Sequence, residues 1–286
     1  MLAFQRKFRI NLISKSIRMF CTTPVEESHF EVKQLDDGIK EFLLSRPTRV
    51  NALSKLLMTQ FEDAIKQVNS SNDTRVIIIR SSKAGMFCAG ADLKERRSMT
   101  QLEGLNFVKT LRRVFHDFSQ IHCPTIAVLD GATLGGGLEL ALSCDIRIAT
   151  EQSIIGLPET SLAIIPGAGG TQTLSRIVGE AVAKELIFTA DRIPPYRAKE
   201  LGIINHIENN FESAHLKALE IAKKICANGP IGVRMAKVAI SKGMDVSKET
   251  GLKIEELCYA QVLSSKDRLE GLQAFAEKRK PVYKGE

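Results

Sequence analysis

Short apolar segments alternate with longer segments of helical period along most of this chain. Val76–Ile79 is wholly apolar, and a second strand is predicted over Thr125–Asp130. A strand without polar side chains must be covered on both faces. Leu53–Val68, with Ser54 as its possible cap, and residues 102–118 place apolar residues along one helical face. This alternation predicts an α/β fold.

The same reasoning divides the chain into regions. Phe30–Leu35 and Ile39–Leu44 flank an Asp-Asp-Gly turn and are predicted to form a hairpin. Residues 85–90 are predicted to be a glycine-containing loop. From Ser213 onward the apolar spacing is helical almost to Lys278. We therefore predict a core over residues 25–212 and a C-terminal helical region over residues 213–286.

The positive charge of the chain is concentrated at its N-terminus. The formal net charge is +7, but the first 25 residues hold five cations and no acid. The remainder carries 35 basic and 33 acidic residues, so a broad basic surface for nucleic acid is not expected. Basic residues alternate with apolar ones over residues 1–24, with serines at Ser14 and Ser16. This pattern predicts a mitochondrial presequence and location in the mitochondrial matrix, with a disordered basic arm as the alternative.

Neither the apolar segments nor the cysteines favour a membrane span, a disulfide framework or a metal site. No segment approaches the ~18 consecutive apolar residues of a spanning helix. Cys21 lies in the predicted presequence, and the other five cysteines are widely spaced. No pair has CxxC spacing and the five histidines form no cluster. We expect free thiols and no bound metal.

A glycine-rich run after the predicted strand 125–130 is the first candidate for chemistry. Gly135, Gly136 and Gly137 open a helix predicted over Leu138–Ser143, where backbone amides are free to bind an anion or a carbonyl oxygen. The GxGxxG spacing of a dinucleotide site fails, and no GxxxxGK[ST] loop is present. Glu139 lies among apolar residues in the first turn. It is either an acid favoured by the helix dipole or a carboxyl group in a dry pocket, where burial suits it to proton transfer.

Two further segments give weaker evidence of a functional role when each is taken alone. Glu159 follows Gly-Leu-Pro and precedes a second glycine-rich loop, Pro166–Gly170. It is either a surface turn acid or the partner of Glu139 in adding or removing water. The small residues of Phe87–Lys94 form either a tightly packed loop or a second source of oxyanion-binding amides.

Taken together, these segments resemble the enoyl-CoA hydratase (crotonase) superfamily. The resemblance extends from about residue 30 to the C-terminus. It rests on motifs in the order typical of the family: RP…NAL from Arg46, CAGADLKE from Cys88, GGGLELALSCDIRIA from Gly135, GLPE from Gly156 and PGAGGTQ from Pro166. Motifs at residues 183–188 and 258–271 are most similar to the branch that contains methylglutaconyl-CoA hydratase, which includes an RNA-binding hydratase.

The resemblance implies a ClpP-like spiral of ββα units, with C-terminal helices that build homotrimers or hexamers. It assigns an oxyanion hole to the amides of Ala91 and Gly136, activation of water to Glu139 and proton donation to Glu159. It also implies that no cofactor is needed, because coenzyme A is part of the acyl-CoA substrate. The residues that it implies for binding substrate and coenzyme A are Ala89, Ala91, Asp92, Leu93, Lys94 and Gly136. It also implies Phe275 and Lys278 at the adenine end, from the same chain or from a neighbouring subunit.

The substrate suggested by this branch is 3-methylglutaconyl-CoA, an intermediate of leucine degradation. A short-chain enoyl-CoA hydratase of fatty-acid β-oxidation is the alternative within the same chemistry. RNA binding is the alternative from another class. The helix that carries a lysine stripe in the RNA-binding relative has Thr59, Glu62 and Asp63 here, so we expect RNA binding to be weak.

Overall fold

The computed structural model describes residues 28–286, and the predicted presequence and Cys21 lie outside this range. The strands are β1 (Phe30–Gln34), β2 (Ile39–Leu44), β3 (Val76–Ser81), β4 (Met86–Cys88), β5 (Thr125–Leu129), β6 (Ala132–Leu134), β7 (Ile146–Thr150), β8 (Ile154–Gly156), β9 (Arg192–Ile193) and β10 (His206–Glu208). The helices are α1 (Lys55–Asn69), α2 (Leu93–Ser98), α3 (Gln101–Ser119), α4 (Gly136–Leu142), α5 (Gly170–Val178), α6 (Glu180–Phe188), α7 (Pro195–Glu200), α8 (Phe211–Cys226), α9 (Pro230–Gly243), α10 (Lys248–Leu263) and α11 (Lys266–Ala276).

The strands form two sheets that the chain visits in turn. One sheet has the order β1-β2-β3-β5-β7-β10, and the other has the order β4-β6-β8-β9. Apart from the antiparallel edge pairs β1-β2 and β8-β9, neighbouring strands are parallel. The successive pairs β3-β4, β5-β6 and β7-β8 each give one strand to each sheet. This arrangement confirms the predicted spiral of ββα units.

The apolar run at β3 is explained by coverage on both faces of the larger sheet. Ile77 and Ile79 belong to the main core, while Val76 and Ile78 belong to a second core with residues of α8. Successive side chains of a strand point to opposite faces, so both sets must be apolar. Burying each of these side chains contributes roughly 1.5–3 kcal/mol to folding. The composition of this strand follows directly from its position.

The first helix of the predicted C-terminal region packs on this sheet. The residues Ala214, Ala218 and Ala222 of α8 are fully buried in the second core. Their spacing of four places them on one helical face, and their small size lets the helix approach the strands closely. The predicted boundary at residue 213 therefore falls inside a helix that covers the core sheet. α9, α10 and α11 form the remainder of the region.

Two predicted loops contain short strands instead. β4 lies within residues 85–90, and β6 lies inside the glycine-rich run that follows β5. Strands of three residues are too short to show a period of two, so the sequence pattern gave no signal for them. Their pairing with each other places the two glycine-rich segments side by side. This pairing is the step that assembles the site described below.

The local predictions for the hairpin turn, the cap of α1 and the thiols are confirmed. The Asp-Asp-Gly turn joins β1 and β2 as an antiparallel pair. The Ser54 hydroxyl accepts a hydrogen bond from the Leu57 amide and caps α1. The five cysteines within residues 28–286 are free thiols. Across the same residues, no group of three or more His, Cys, Asp or Glu side chains could hold a metal ion. Nor is any described helix both long and apolar enough to cross a membrane.

Candidate active site

Two backbone amides lie close together where the small sheet meets α4. A β-carbon built on Gly90 would lie 2.9 Å from the Leu134 carbonyl oxygen and 3.1 Å from the Gly136 nitrogen. A β-carbon built on Gly136 would lie 3.7 Å from the Ala91 nitrogen. Neither the Ala91 amide nor the Gly136 amide donates a hydrogen bond within residues 28–286. Two free donors that face the same space can stabilise negative charge on a single oxygen.

The loop after β2 holds the Ala91 segment in place. The Leu53 amide donates to the Gly90 carbonyl at 2.8 Å, and the Asp92 amide donates to the Leu53 carbonyl at 3.2 Å. The Asn51 side-chain amide donates to the Phe87 carbonyl and to the Ser81 hydroxyl, both at 2.9 Å. These bonds use the neighbours of Ala91 and leave its own amide unpaired. Asn51 and Leu53, which belong to the RP…NAL motif, therefore fix the backbone on either side of Ala91.

Glu139 is buried and held by the second glycine-rich loop. Its carboxylate oxygen Oε1 accepts hydrogen bonds from the amides of Ala168 and Gly170, both at 2.8 Å. Burial raises the pKa of Glu139, while the two amide bonds and the charge of Arg112 act in the opposite direction. Glu139 is only 6% exposed, so its predicted burial is confirmed, while its role in proton transfer stays a prediction. The ionised form is the form that these two donors favour.

Glu159 lies in a short 3-10 turn, Pro158–Leu162, that faces the glycine run. The hydroxyl of the adjacent Thr160 anchors the turn by donating to the Ile187 carbonyl at 2.6 Å. The Glu159 oxygen Oε2 is buried and has no hydrogen-bond partner among the described residues. Burial, followed by the nearby charge of Glu139, raises the pKa of Glu159 to about 7. The two carboxyl groups therefore converge. The pKa of each is raised by burial, but only Glu139 has amide donors that favour its ionised form.

The glycine turn leaves room for the carboxyl group of Glu159. Gly135 adopts a positive φ of 54°, and a β-carbon there would lie 3.2 Å from the Glu159 oxygen Oε1. The first glycine of the run therefore provides both the turn and the close approach. This contact could not be predicted from the sequence, because Gly135 and Glu159 are brought together by β6 and β8.

Both carboxyl groups and both amides open into one cavity of about 630 Å³. Most of the remaining wall is apolar, including Val108, Leu111 and Leu162. Four of the residues predicted to bind substrate or coenzyme A line it, namely Ala89, Ala91, Leu93 and Gly136. An apolar cleft with a few converging polar groups is the usual form of a site for a small organic substrate.

The other predicted binding residues do not line this cavity. The Asp92 carboxylate accepts hydrogen bonds from the amides of Lys94 and Glu95, which caps α2, and it pairs with Arg46 at 2.6 Å. Asp92 is thus occupied in fixing the turn, and the Lys94 side chain is exposed outside the cavity. Phe275 is 87% exposed on α11, and Lys278 lies just beyond that helix. Their predicted contact with the adenine end from a neighbouring subunit stays a prediction.

Several residues of the site could not be predicted from the sequence. Three arginines, Arg96, Arg112 and Arg192, line the cavity. No motif marks them, because each belongs to a different element and only folding brings them together. The loop at Pro166–Gly170 follows Glu159 in the sequence, but its amides donate hydrogen bonds to Glu139 instead.

The sequence profile of the enoyl-CoA hydratase/isomerase family matches residues 34–286. This chain belongs to that family. Methylglutaconyl-CoA hydratase, mitochondrial, from Mus musculus is 50% identical over 266 residues, covering 91% of this chain and 85% of the relative. A probable enoyl-CoA hydratase 2, mitochondrial, from Arabidopsis thaliana is also 50% identical, over 87% of this chain and 83% of the relative.

A crystal structure supports the same assignment to the enoyl-CoA hydratase/isomerase family. An enoyl-CoA hydratase from Bacillus anthracis superposes with a TM-score of 0.88 at 46% identity, covering 91% of this chain and all of the other. The fold is therefore the crotonase fold of this family. The names of the relatives agree on an enzyme of the enoyl-CoA hydratase type. The names of the mouse and Arabidopsis relatives give different substrates, methylglutaconyl-CoA and enoyl-CoA, although both proteins are 50% identical to this chain.

Proposed function

We propose that this protein adds water across the 2,3 double bond of an enoyl-CoA thioester, with 3-methylglutaconyl-CoA as the preferred substrate. The observation that carries the proposal is the contrast between two converging glutamates. Glu139 accepts two amide hydrogen bonds, whereas the buried Oε2 of Glu159 accepts none. One site thus holds a base and an acid at neutral pH, as the addition of water requires.

The free amides of Ala91 and Gly136 are proposed to bind the thioester oxygen. Addition of water at C3 moves electrons from the double bond onto this oxygen and gives an enolate. Donors fixed in advance stabilise that developing charge without reorganising, an effect that reaches about 3–4 kcal/mol for one donor in other enzymes. The Asn51 and Leu53 contacts described above hold this geometry before the substrate arrives.

The two glutamates are proposed to act at adjacent carbons. The ionised Glu139 accepts a proton from water as its oxygen attacks C3, and Glu159 gives its proton to C2 of the enolate. The overall reaction adds one water molecule, so Glu139 ends protonated and Glu159 ionised. Transfer of one proton between the carboxyl groups, or exchange with solvent, restores the starting state.

The proposed substrate rests on the methylglutaconyl-CoA hydratase from mouse and on the cationic residues of the cavity. A short-chain enoyl-CoA hydratase remains the alternative, since the Arabidopsis relative is equally similar. We further propose that the protein requires no separate cofactor, because the thioester itself acidifies C2. The mitochondrial names of both relatives and the N-terminal pattern support location in the mitochondrial matrix.

Self-association as a trimer or hexamer is proposed for the C-terminal helices. α9, α10 and α11 expose several large apolar side chains, among them Ile240, Leu257 and Leu272. Exposed apolar side chains on adjoining helices are characteristic of an interface.

RNA binding, if it occurs, is still predicted to be weak. Lys66 of α1 pairs with Glu62 and Asp63, so its positive charge is already offset and is less available to bind phosphate groups.

Hydration of crotonyl-CoA and 3-methylglutaconyl-CoA, measured side by side, tests the proposed function. The protein lacking residues 1–24 is used, and loss of the conjugated thioester absorbance is followed. We expect turnover of both esters, with a higher kcat/KM for 3-methylglutaconyl-CoA. A higher kcat/KM for crotonyl-CoA would instead identify a short-chain hydratase, and hydration of neither ester would refute the proposal.

The pH dependence of kcat/KM is expected to follow the protonation of Glu159. Its pKa of about 7 means that the proton needed at C2 is lost as the pH rises through this value. Activity should therefore decline by about tenfold per pH unit above the apparent pKa. A profile that stays flat from pH 6 to 9 would contradict the role of Glu159 as the acid.

Thermal unfolding of the Glu159→Gln variant provides an independent readout of the same group. The pKa of Glu159 in the folded protein exceeds its ordinary value of 4.5, so the folded state binds more protons between pH 4.5 and 7. Its contribution to stability is present below this window and is lost as the pH rises through it. The variant should therefore gain roughly 1–2 kcal/mol relative to the wild type between pH 5 and 8, allowing for partial exposure.

A further inference from the structure

A single cation lies beside the base of the proposed mechanism. Arg112, on α3, lines the cavity together with Glu139, and its Nε donates to the Gly167 carbonyl at 3.0 Å. Gly167 directly precedes Ala168, whose amide binds the Glu139 carboxylate at 2.8 Å. One loop therefore fixes both the base and the guanidinium group. This arrangement places a positively charged group beside the proposed base.

The other two arginines of the cavity are placed differently. The Arg96 guanidinium lies over the Phe107 ring, 5.9 Å from its centroid, and Arg192 belongs to the edge strand β9. Among these three arginines, only Arg112 contributes to the pKa of either glutamate, where its charge acts to lower the pKa of Glu139. Arg112 is thus the cavity arginine whose charge acts on the proposed base.

The guanidinium group of Arg112 retains unused donors. Its hydrogen bond to Gly167 uses only Nε, and its two terminal nitrogens have no partner among the described residues. A planar fork of N–H groups matches the geometry of a carboxylate. Arg113, the next residue, has partners for both of its terminal nitrogens, because it pairs with Glu62 at 2.7 Å and with Asp117 at 3.3 Å.

The direction of a bound acyl chain determines which of its groups contacts the Arg112 guanidinium. Val108, Leu111 and Arg112 of α3 line the same cavity as Glu139, so α3 forms part of the wall available to the substituents of C3. A terminal carboxylate there would be repelled by the ionised Glu139 unless a cation offset its charge. A purely hydrocarbon acyl group would leave the donors of Arg112 without a partner.

We propose that Arg112 binds the terminal carboxylate of the acyl group and thereby selects 2-enoyl-CoA thioesters of dicarboxylic acids. This inference rests on the proposed hydratase function and names the residue that sets its substrate class. Arg112 acts as a specificity-determining residue: it takes no part in the proton transfers to C2 or C3. The loop that carries Gly167 and Ala168 couples recognition of the carboxylate to the placement of the base.

The test compares two thioesters that differ in the carboxylate alone, 3-methylglutaconyl-CoA and 3-methylcrotonyl-CoA. Steady-state hydration of each is measured for the wild type, Arg112→Gln, Arg112→Lys and the matched control Arg113→Gln. We expect Arg112→Gln to lower the ratio of the two kcat/KM values by about 10- to 100-fold, as loss of a charge-assisted bond implies. Arg112→Lys should retain part of the preference, and Arg113→Gln should retain all of it.

The outcomes separate this inference from the proposed function. An equal loss for both esters in Arg112→Gln would show that Arg112 acts only through Glu139, and would overturn the inference while leaving the hydratase intact. A wild type that prefers 3-methylcrotonyl-CoA would overturn it as well. Hydration of neither ester by the wild type would refute the proposed function itself. Because Arg112 is exposed, the variants should unfold at the wild-type temperature, which thermal unfolding checks.

Discussion

Replacing Glu139 or Glu159 by glutamine is expected to lower kcat by about 100- to 10,000-fold in each case. Glutamine at position 139 can still accept the Ala168 and Gly170 amide bonds, but it cannot take a proton from water. Glutamine at position 159 resembles the protonated acid in shape, yet it has no acidic proton to give. The measurement is hydration of the preferred ester under saturating conditions, together with the affinity for the hydrated product.

Product affinity and fold should change little in these variants, because neither charge is part of an ion pair within residues 28–286. The matched control is Glu185→Gln on α6, an exposed glutamate outside the cavity, which should hydrate at the wild-type rate. Undiminished turnover in both site variants would refute the roles assigned to the two carboxyl groups. A loss of turnover in only one of the two variants would show that a single carboxyl group carries out the proton transfers.

Replacing Gly137 by alanine is expected to be among the most damaging single changes in this chain. A β-carbon at this position would lie 2.2 Å from the Cys88 carbonyl oxygen and 2.8 Å from the carbonyl carbon. Backbone atoms of β4 cannot move aside as a flexible side chain can, so the start of α4 must shift. We expect a loss of about 3 kcal/mol or more in the free energy of unfolding, measured by urea denaturation.

The same shift should also impair the oxyanion hole, because Gly136 is the adjacent residue. Protein that still folds is expected to lose about 100-fold or more in kcat. Gly104→Ala is the matched control, since Gly104 lies within α3 and a β-carbon there would meet nothing within 4 Å. That change should stabilise the helix by about 0.5–1 kcal/mol. Wild-type stability and turnover in Gly137→Ala would contradict the close packing of α4 on β4.

The segments that carry the chemistry were recognisable without a structure because they depend on local constraints. A glycine run that follows a strand and opens a helix supplies free amides, and an acid among apolar residues of the first turn is a candidate for burial. The strand Val76–Ile79 likewise had to be covered on both faces. The sequence alone therefore determined the α/β class and the resemblance to the family, and that resemblance predicted the roles of Ala91, Gly136, Glu139 and Glu159.

Tertiary structure alone decided how these positions combine. The pairing of β4 with β6 brings the Ala91 and Gly136 amides together, and the pairing of β6 with β8 places Glu159 against Gly135. The partner of Glu139 proved to be the loop at residues 168–170, and Arg112 joined the site from α3. These contacts link residues far apart in the chain, and no periodic pattern encodes them. Local sequence fixes which groups are available, whereas the packing of distant elements sets their distances, their protonation and the charge that faces the substrate.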